Sequence, residues 1–238
     1  MGMHFGFIVA RSDWPSLHAA LEARCGVLSD GGKISPDQWF DLPSGEDAFH
    51  VASVNGTTYM LDPAMVLSAE SDLITELARE LSCLVVGAGG ETVSGTFWLT
   101  AADGPDLRRL YFNVLATMTA PFALGDPLPS EATVDWTDID GAGIFARIAD
   151  LGLGTDVFDR GPGEAGRRVT WVRVELPEPG PISAQIDEHS ERHKRAEADD
   201  WIKNISVQTR GQGGFDLTTS SAKPEREFRL RGIFKRGK

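Results

Sequence analysis

The sequence predicts an α+β protein, with a mainly antiparallel sheet on which helices pack and a smaller β-α-β-β part at the C-terminal end. The first observation is the stretch from Leu81 to Asn113, where alternating apolar and polar residues predict a three-stranded antiparallel meander. The second is Asn55-Gly56 between two short apolar runs, a pair typical of tight hairpin turns because both residues accept positive φ. The third is an apolar spacing of three and four residues, which predicts amphipathic helices between these strands.

The first predicted elements are a strand from His4 to Ala10 and a helix directly after it. Apolar residues recur at helical spacing from Trp14 to Cys25, either Ser12 or Asp13 can cap the first turn, and Gly26 ends the helix. We therefore expect the strand to pack against the helix that follows it.

A loop and a hairpin are predicted next. Residues 29–45 are rich in Gly, Pro, Ser and Asp, so we expect a long loop, anchored by Trp39 and Phe40. The hairpin then joins a strand from Ala48 to Val54 to a strand from Thr57 to Leu61.

The meander follows a predicted helix from Asp72 to Leu81, for which Ser71 is the expected cap. Within the meander, Gly87 to Gly90 are interpreted as a glycine-rich turn between the first apolar strand and the hairpin. Residues 120–138 contain prolines among acidic residues, and this segment is expected to run over the surface.

The composition of the C-terminal third predicts a domain boundary. A helix from Ile144 to Leu151 ends at Gly152, and residues 159–168 have the composition of a linker. We therefore divide the chain into a main α+β domain, residues 1–160, and a C-terminal β-α-β-β part, residues 161–238. The elements predicted for this part are a strand at Val169–Leu176, a helix at Ile182–Lys203 and short strands at 205–209, 215–219 and 228–231.

Composition narrows the ligand class and the compartment. The formal net charge of -12 argues against nucleic acid as a partner, because phosphate binding depends on cationic contacts. The basic end, Lys223 to Lys238, is expected to dock on the acidic body or to stay solvated. Two cysteines without a C-x-x-C pair, no signal peptide and no apolar run near the roughly 20 residues that span a bilayer favour a cytoplasmic protein without membrane contact.

The sequence predicts neither a cofactor nor a metal, and it assigns no catalytic residue. The Gly87–Gly90 stretch lacks the third glycine and the opening helix of a dinucleotide-binding loop. His189 and His193 have a spacing that can bind a metal, but Glu does not follow the first His directly, and a position at the edge of a core is favoured. A serine in G-x-S-x-G or an activated cysteine is not found either.

The aromatic residues of the meander are candidates for binding. Trp98 and Tyr111 are each predicted to point away from the neighbouring apolar side chains, and Arg109 lies beside Tyr111. A sheet face that carries Trp, Tyr and Arg is either covered by the chain's own elements or forms a docking patch, because these residues dominate interface energetics. Coverage, most simply by the C-terminal part, is the favoured interpretation.

The same region carries a resemblance to a protein family. The run LITELARELSCLVVGAGGETVSGTFWLTAADGPDLRRLYF and the later Gly125-Asp126-Pro127-Leu128-Pro129, together within residues 73–131, resemble uncharacterised bacterial proteins. Some of those proteins look like immunity proteins that neutralise toxins of neighbouring cells. The resemblance thus implies a protein partner, a toxin, and it transfers no functional residue to this chain.

Our leading hypothesis is a cytoplasmic protein-binding module of the immunity type, since an acidic protein can occupy the cationic site of a toxic nuclease. The expected contact residues are Asp135, Trp136, Asp138 and Asp140, together with Trp98, Arg109 and Tyr111. One alternative is an enzyme whose site is assembled from His50, Arg109, His189 and His193. Another is a structural or oligomeric component that uses both faces of the sheet; the sequence does not predict an oligomeric state.

Overall fold

A nine-stranded sheet organises the computed structural model, which describes residues 4–26, 28–41, 48–115, 118, 120–133, 142–162, 166–171 and 177–211. The strands are β1 His4–Ala10, β2 Leu28–Ile34, β3 Ala48–Val54, β4 Thr57–Leu61, β5 Leu84–Glu91, β6 Thr96–Asp103, β7 Asp106–Val114, β8 Phe122–Leu124 and β9 Gly166–Trp171. The helices are α1 Trp14–Cys25, α2 Ser71–Leu81, α3 Ala142–Asp150, α4 Asp156–Arg160 and α5 Pro181–Gly211, with 3-10 turns at Pro36–Gln38 and Pro129–Ala132.

The strands lie in the order β2-β9-β3-β4-β1-β5-β6-β7-β8, and each pairing is antiparallel. The predicted α+β class with helices on an antiparallel sheet is therefore confirmed. In the described part of the chain, no helix has the length and apolar character needed to cross a membrane.

Local signals at the N-terminal end predicted the structure well. The Asp13 side chain caps α1, with its Oδ1 accepting a hydrogen bond of 2.9 Å from the Ser16 backbone N–H, and Gly26 ends that helix with φ 100°. Asn55 and Gly56 have φ values of 52° and 76° and join β3 to β4. Both features depend on residues adjacent in sequence, which explains why they are recognisable.

The meander is confirmed as β5, β6 and β7, but the predicted glycine-rich turn is wrong. Gly87 and Gly89 lie inside β5, paired with β1 on one side and β6 on the other. A Cβ at Gly87 would lie 2.6 Å from Cγ1 of Ile74, and a Cβ at Gly89 would lie 2.4 Å from Cζ2 of Trp98. These glycines therefore let a helix and an indole ring lie directly on the strand.

Two further expectations in the N-terminal half differ from the structure. The predicted loop at residues 29–45 contains most of β2, which pairs with β9 through an irregular register; Trp39 is buried there as expected, whereas Phe40 is 52% exposed. Ser71 is not the cap of α2, because it already belongs to the helix, where its Oγ lies 2.8 Å from Oγ1 of Thr100.

The predicted surface segment 120–138 also contains ordered structure. β8 pairs with β7 at the edge of the sheet, and Pro129–Ala132 forms a 3-10 turn. Residues 134–138 of this segment lie outside the described residues.

The C-terminal elements are arranged differently from the prediction. β9, expected to open a separate part, lies between β2 and β3 of the main sheet. The chain divides instead into compact units of Met1–Ala196 and Glu197–Lys238, so residue 160 falls inside the first unit. The strand predicted at 205–209 is wrong, because α5 continues through it; the strands predicted at 215–219 and 228–231 lie outside the described residues.

Both faces of the sheet carry a buried apolar cluster because neighbouring residues of each strand point to opposite sides. On β1, Ile8 belongs to the cluster that includes residues of α1 and α2, and Phe7 and Val9 belong to the cluster that includes residues of α3 and α4. The sheet is thus the middle layer of the first unit.

Candidate functional site

The three meander residues predicted for binding are covered by the chain itself. Trp98, Arg109 and Tyr111 are each 5% exposed. The Trp98 Nε1–H donates a hydrogen bond of 2.9 Å to the backbone oxygen of Ser68, which lies just before α2. Tyr111 pairs with Leu99, the strand neighbour of Trp98, and so lies on the opposite face of the sheet. The two aromatic rings therefore do not form one exposed patch.

The acidic contact residues predicted around Trp136 lie outside the described residues. These are Asp135, Trp136, Asp138 and Asp140, all between Thr133 and α3 in the sequence. Their role in binding stays a prediction.

The residues of the alternative enzymatic site do not converge. His50 is buried in β3, where its Nδ1 lies 2.8 Å from the backbone oxygen of Trp39, and burial lowers the pKa of this imidazole. Arg109 is in β7, and four strands separate β7 from β3. At about 4.8 Å between neighbouring strands, the two residues are more than roughly 20 Å apart. A reaction cannot use both groups at one atom.

His189 and His193 lie together on α5, at the edge of the packed body. Their ring centroids are 4.5 Å apart, and the His189 ring is 5.4 Å from the ring of Phe122 in β8. The His189 Nε2 lies 3.2 Å from the backbone oxygen of Ala120. These contacts agree with the core-edge interpretation, and no group of three or more metal-binding side chains occurs among the residues that the structure describes.

A buried ion pair fixes the loop that follows β8. Arg109 donates from Nε to Oε1 of Glu131 at 2.8 Å and from Nη2 to Oε2 at 2.6 Å, and these side chains are 7% and 11% exposed. The Arg109 Nη1 also donates to the backbone oxygens of Leu124 and Gly125, each at 3.1 Å. This bidentate geometry ties residues 124–131 to the sheet.

Gly125 starts this loop with φ 77°, and a Cβ at this position would lie 2.5 Å from the backbone oxygen of Arg108. At the far end of the loop, the Leu128 backbone N–H donates a hydrogen bond of 2.9 Å to Oε1 of Glu131. The path from Gly125 to Pro129 is therefore held at both ends before any ligand arrives.

The fixed loop forms one wall of a cleft with a volume of about 610 Å³. The other walls come from Arg11, which follows β1, from Leu84 at the start of β5, from the β6–β7 turn and from the end of α3. Residues with apolar side chains are Leu84, Leu107, Pro127, Leu128, Pro129 and Leu151, and residues with charged side chains are Arg11, Asp103, Arg108, Asp126 and Asp150. Polar groups make up more of this lining than apolar groups, so the cleft suits a charged or polar ligand better than an apolar one.

The charged groups of the cleft are engaged to different degrees. Arg11 donates from Nη2 to the backbone oxygens of Leu151 and Gly152 at 3.0 and 3.1 Å, so it caps the end of α3. Asp150 accepts a hydrogen bond of 2.7 Å from the Ser130 backbone N–H. Within the described chain, the carboxylates of Asp103 and Asp126 accept no hydrogen bond, and both residues are exposed to solvent. Two carboxylates are thus available to a ligand.

Sequence reasoning missed this cleft because its walls come from five separate parts of the chain. It did single out Arg109, which lies behind the cleft rather than in it, and the Gly125–Pro129 motif, which forms one wall. The available signal was the pairing of glycine with aspartate in Asp103-Gly104 and Gly125-Asp126, two tight turns that present a carboxylate.

Comparisons of the chain with protein-family models, with curated proteins and with solved structures give no match.

Proposed function

We propose that this chain is a cytoplasmic protein-binding module whose partner is a basic protein, held through the cleft beside the Gly125–Pro129 loop. The observation that carries the proposal is the preformed cleft, in which the side-chain carboxylates of Asp103 and Asp126 accept no hydrogen bond within the described chain. The net charge of -12 supports it, because an acidic protein attracts a basic partner over distances of roughly 10 Å in physiological salt and so speeds their encounter.

We further propose that the partner is a toxin and that the module acts as its immunity protein. A toxic nuclease must expose a cationic surface to bind its anionic substrate, and an acidic module competes for that surface. The resemblance of residues 73–131 to bacterial proteins of this kind supports the same partner class, and those residues include the loop wall of the cleft.

The test compares two charge-matched variants. Asp103→Asn with Asp126→Asn removes the two free carboxylates of the cleft. Asp106→Asn with Glu188→Gln removes two exposed carboxylates outside it, so both variants lose the same net charge. Each variant and the unmodified protein would be used for affinity capture from the source cells, followed by calorimetry with the purified partner.

We expect one basic partner at a fixed stoichiometry, with affinity reduced about tenfold or more by the cleft variant and about twofold or less by the control. Equal losses in both variants would mean that only net charge matters, and unchanged binding by the cleft variant would remove the cleft from the proposal. For the immunity role, expression of the partner alone should stop growth, and co-expression with the module should restore it; a harmless partner contradicts that role.

A further inference from the structure

We infer that the cleft receives an arginine side chain of the partner, an inference that rests on the proposed function and specifies what the cleft recognises. The cleft combines leucine side chains with two free carboxylates at its rim, from Asp103 and Asp126. Arginine has the matching construction: an apolar stem of three methylenes that ends in a planar cation with five N–H donors.

The leucine side chains are suited to the stem rather than to a larger apolar group, because polar groups make up the greater part of the lining. Leu84 is buried, whereas Leu107, Leu128 and Leu151 are half-buried, so the cleft leaves part of their surface in contact with water. A long side chain that lies on these leucines removes apolar surface from water at about 25 cal/mol per Å² and keeps its charged end at the rim.

The rim favours a cation over an anion. The three carboxylates of Asp103, Asp126 and Asp150 outnumber the two guanidinium groups, so the cleft has a net charge of -1. Arg11 is already committed to the carbonyls at the end of α3, which leaves Arg108 as the cationic group for which the described chain shows no hydrogen bond. A carboxylate or phosphate ligand would face three like charges, a repulsive arrangement.

Arginine is favoured over lysine because the acceptors are carboxylates on two separate turns. Asp103 ends β6, and Asp126 follows Gly125 in the loop that Arg109 and Glu131 hold in position. A guanidinium presents N–H groups along two edges of a rigid plane and can donate to both carboxylates, whereas an ammonium is a compact point charge.

The experiment uses the full chain with four blocked amino acids as probes: acetyl-arginine amide, acetyl-citrulline amide, acetyl-lysine amide and acetyl-aspartate amide. Citrulline has the shape of arginine without its charge. Binding would be followed by NMR through the leucine methyl groups of Leu107, Leu128 and Leu151, first at low salt and then at about 150 mM salt, where screening is stronger.

We expect the arginine probe to shift these methyl signals with a dissociation constant in the millimolar range, at least about fivefold tighter than the citrulline and lysine probes. Asp103→Asn with Asp126→Asn should remove that preference, and Asp106→Asn with Glu188→Gln should retain it. The amide spectrum of each variant reports whether it is folded.

Equal binding of the arginine, citrulline and lysine probes overturns the inference, as does the absence of methyl shifts with all four. Tighter binding of the aspartate probe overturns it in favour of an anion site on Arg108. These outcomes are separate from failure of the proposed function. If the intact partner still loses affinity with the cleft variant while the arginine probe shows no preference, the protein-binding function stands and the arginine inference falls.

Discussion

Arg109 and Glu131 form an ion pair whose two side chains are almost excluded from solvent. Four of the five N–H groups of the Arg109 guanidinium donate to Glu131 or to loop carbonyls, and the side chain is only 7% exposed, so it offers little to a ligand. Its contribution to the cleft is indirect, because it holds the Gly125–Pro129 wall in place. Arg109, which the sequence singled out as a binding residue, is thus a positioning residue.

Replacing Arg109 by Met should therefore destabilise the protein strongly, by about 3–5 kcal/mol, because the Glu131 carboxylate would be buried without its cation. A double variant with Glu131→Leu should lose clearly less than the sum of the two single changes. The measurement is urea unfolding followed by tryptophan fluorescence. Arg108→Met is the matched control on the same strand; this side chain is exposed, and we expect a change within about 0.5 kcal/mol. Additive single changes would contradict the coupling.

The same residues indicate which features a sequence can predict. Asn55-Gly56 and the Asp13 cap were recognisable because the cause of each lies within a few residues. The reason for glycine at positions 87 and 89 lies in Ile74 and Trp98, which only the packing brings close, so the glycines were assigned to a turn. The partner of Arg109 is likewise separated from it by 22 positions. Local signals thus predicted element types, while the cleft required the tertiary contacts.

At the scale of elements, β2 and β9 were harder to recognise than the hairpin and the meander. The β2 sequence, LSDGGKI, has few apolar residues, and its register with β9 is irregular between Asp30 and Lys33. As the edge strand it is stabilised by one partner only, and glycines and a lysine are common at such edges. Composition therefore suggested a loop where the tertiary partner produces a strand.

The N-terminus of α5 is capped by a carboxylate side chain of α2. The Asp72 side chain accepts hydrogen bonds from the backbone N–H groups of Gly180, Ile182 and Ser183 at 3.1, 3.1 and 2.9 Å, and from the Ser183 hydroxyl at 2.6 Å. This arrangement caps α5 in the way that a local N-cap would, but from another helix. Glu70 lies nearby, where burial, with the charges of Asp72 and Asp187 as further causes, raises its pKa to about 7.

Glu70→Gln should change how stability depends on pH. The pKa of Glu70 is raised from an ordinary value of 4.5 in the folded protein, so the folded state binds this proton more tightly than the unfolded state. The resulting stabilisation is complete below about pH 4.5 and is lost as the pH rises through about 7. The variant cannot lose this stabilisation. We therefore expect the difference in free energy of unfolding, variant minus unmodified protein, to be roughly 1–2 kcal/mol larger at pH 8 than at pH 5.

The measurement is urea unfolding at several pH values between 5 and 8. The control is Glu188→Gln on the exposed side of α5, which should follow the unmodified protein within about 0.5 kcal/mol at each pH. A difference between Glu70→Gln and the unmodified protein that stays constant with pH would contradict the expectation.

At the scale of the whole molecule, the order of strands in the sheet joins distant parts of the chain. β9 lies between β2 and β3, with Leu28 opposite Trp171 on one side and Phe49 opposite Val169 on the other. Val169 is buried in the cluster that also contains residues of α1 and α2. A strand from beyond residue 160 thus completes the sheet begun at residue 4, and a boundary at residue 160 would divide one hydrogen-bonded layer.

The position of β9 between β2 and β3 predicts which truncated chains fold. A chain of residues 1–160 lacks β9, so β2 loses its strand partner and β3 loses one of two, and we expect it to unfold without cooperativity or to aggregate through the exposed edge. A chain of residues 1–196 contains the whole first unit and should retain cooperative thermal unfolding and the near-ultraviolet signal of packed tryptophans. Circular dichroism on both chains is the measurement. Cooperative unfolding of the 1–160 chain would contradict the role of β9, because it would mean that the remaining strands form a stable sheet without the strand that separates β2 from β3.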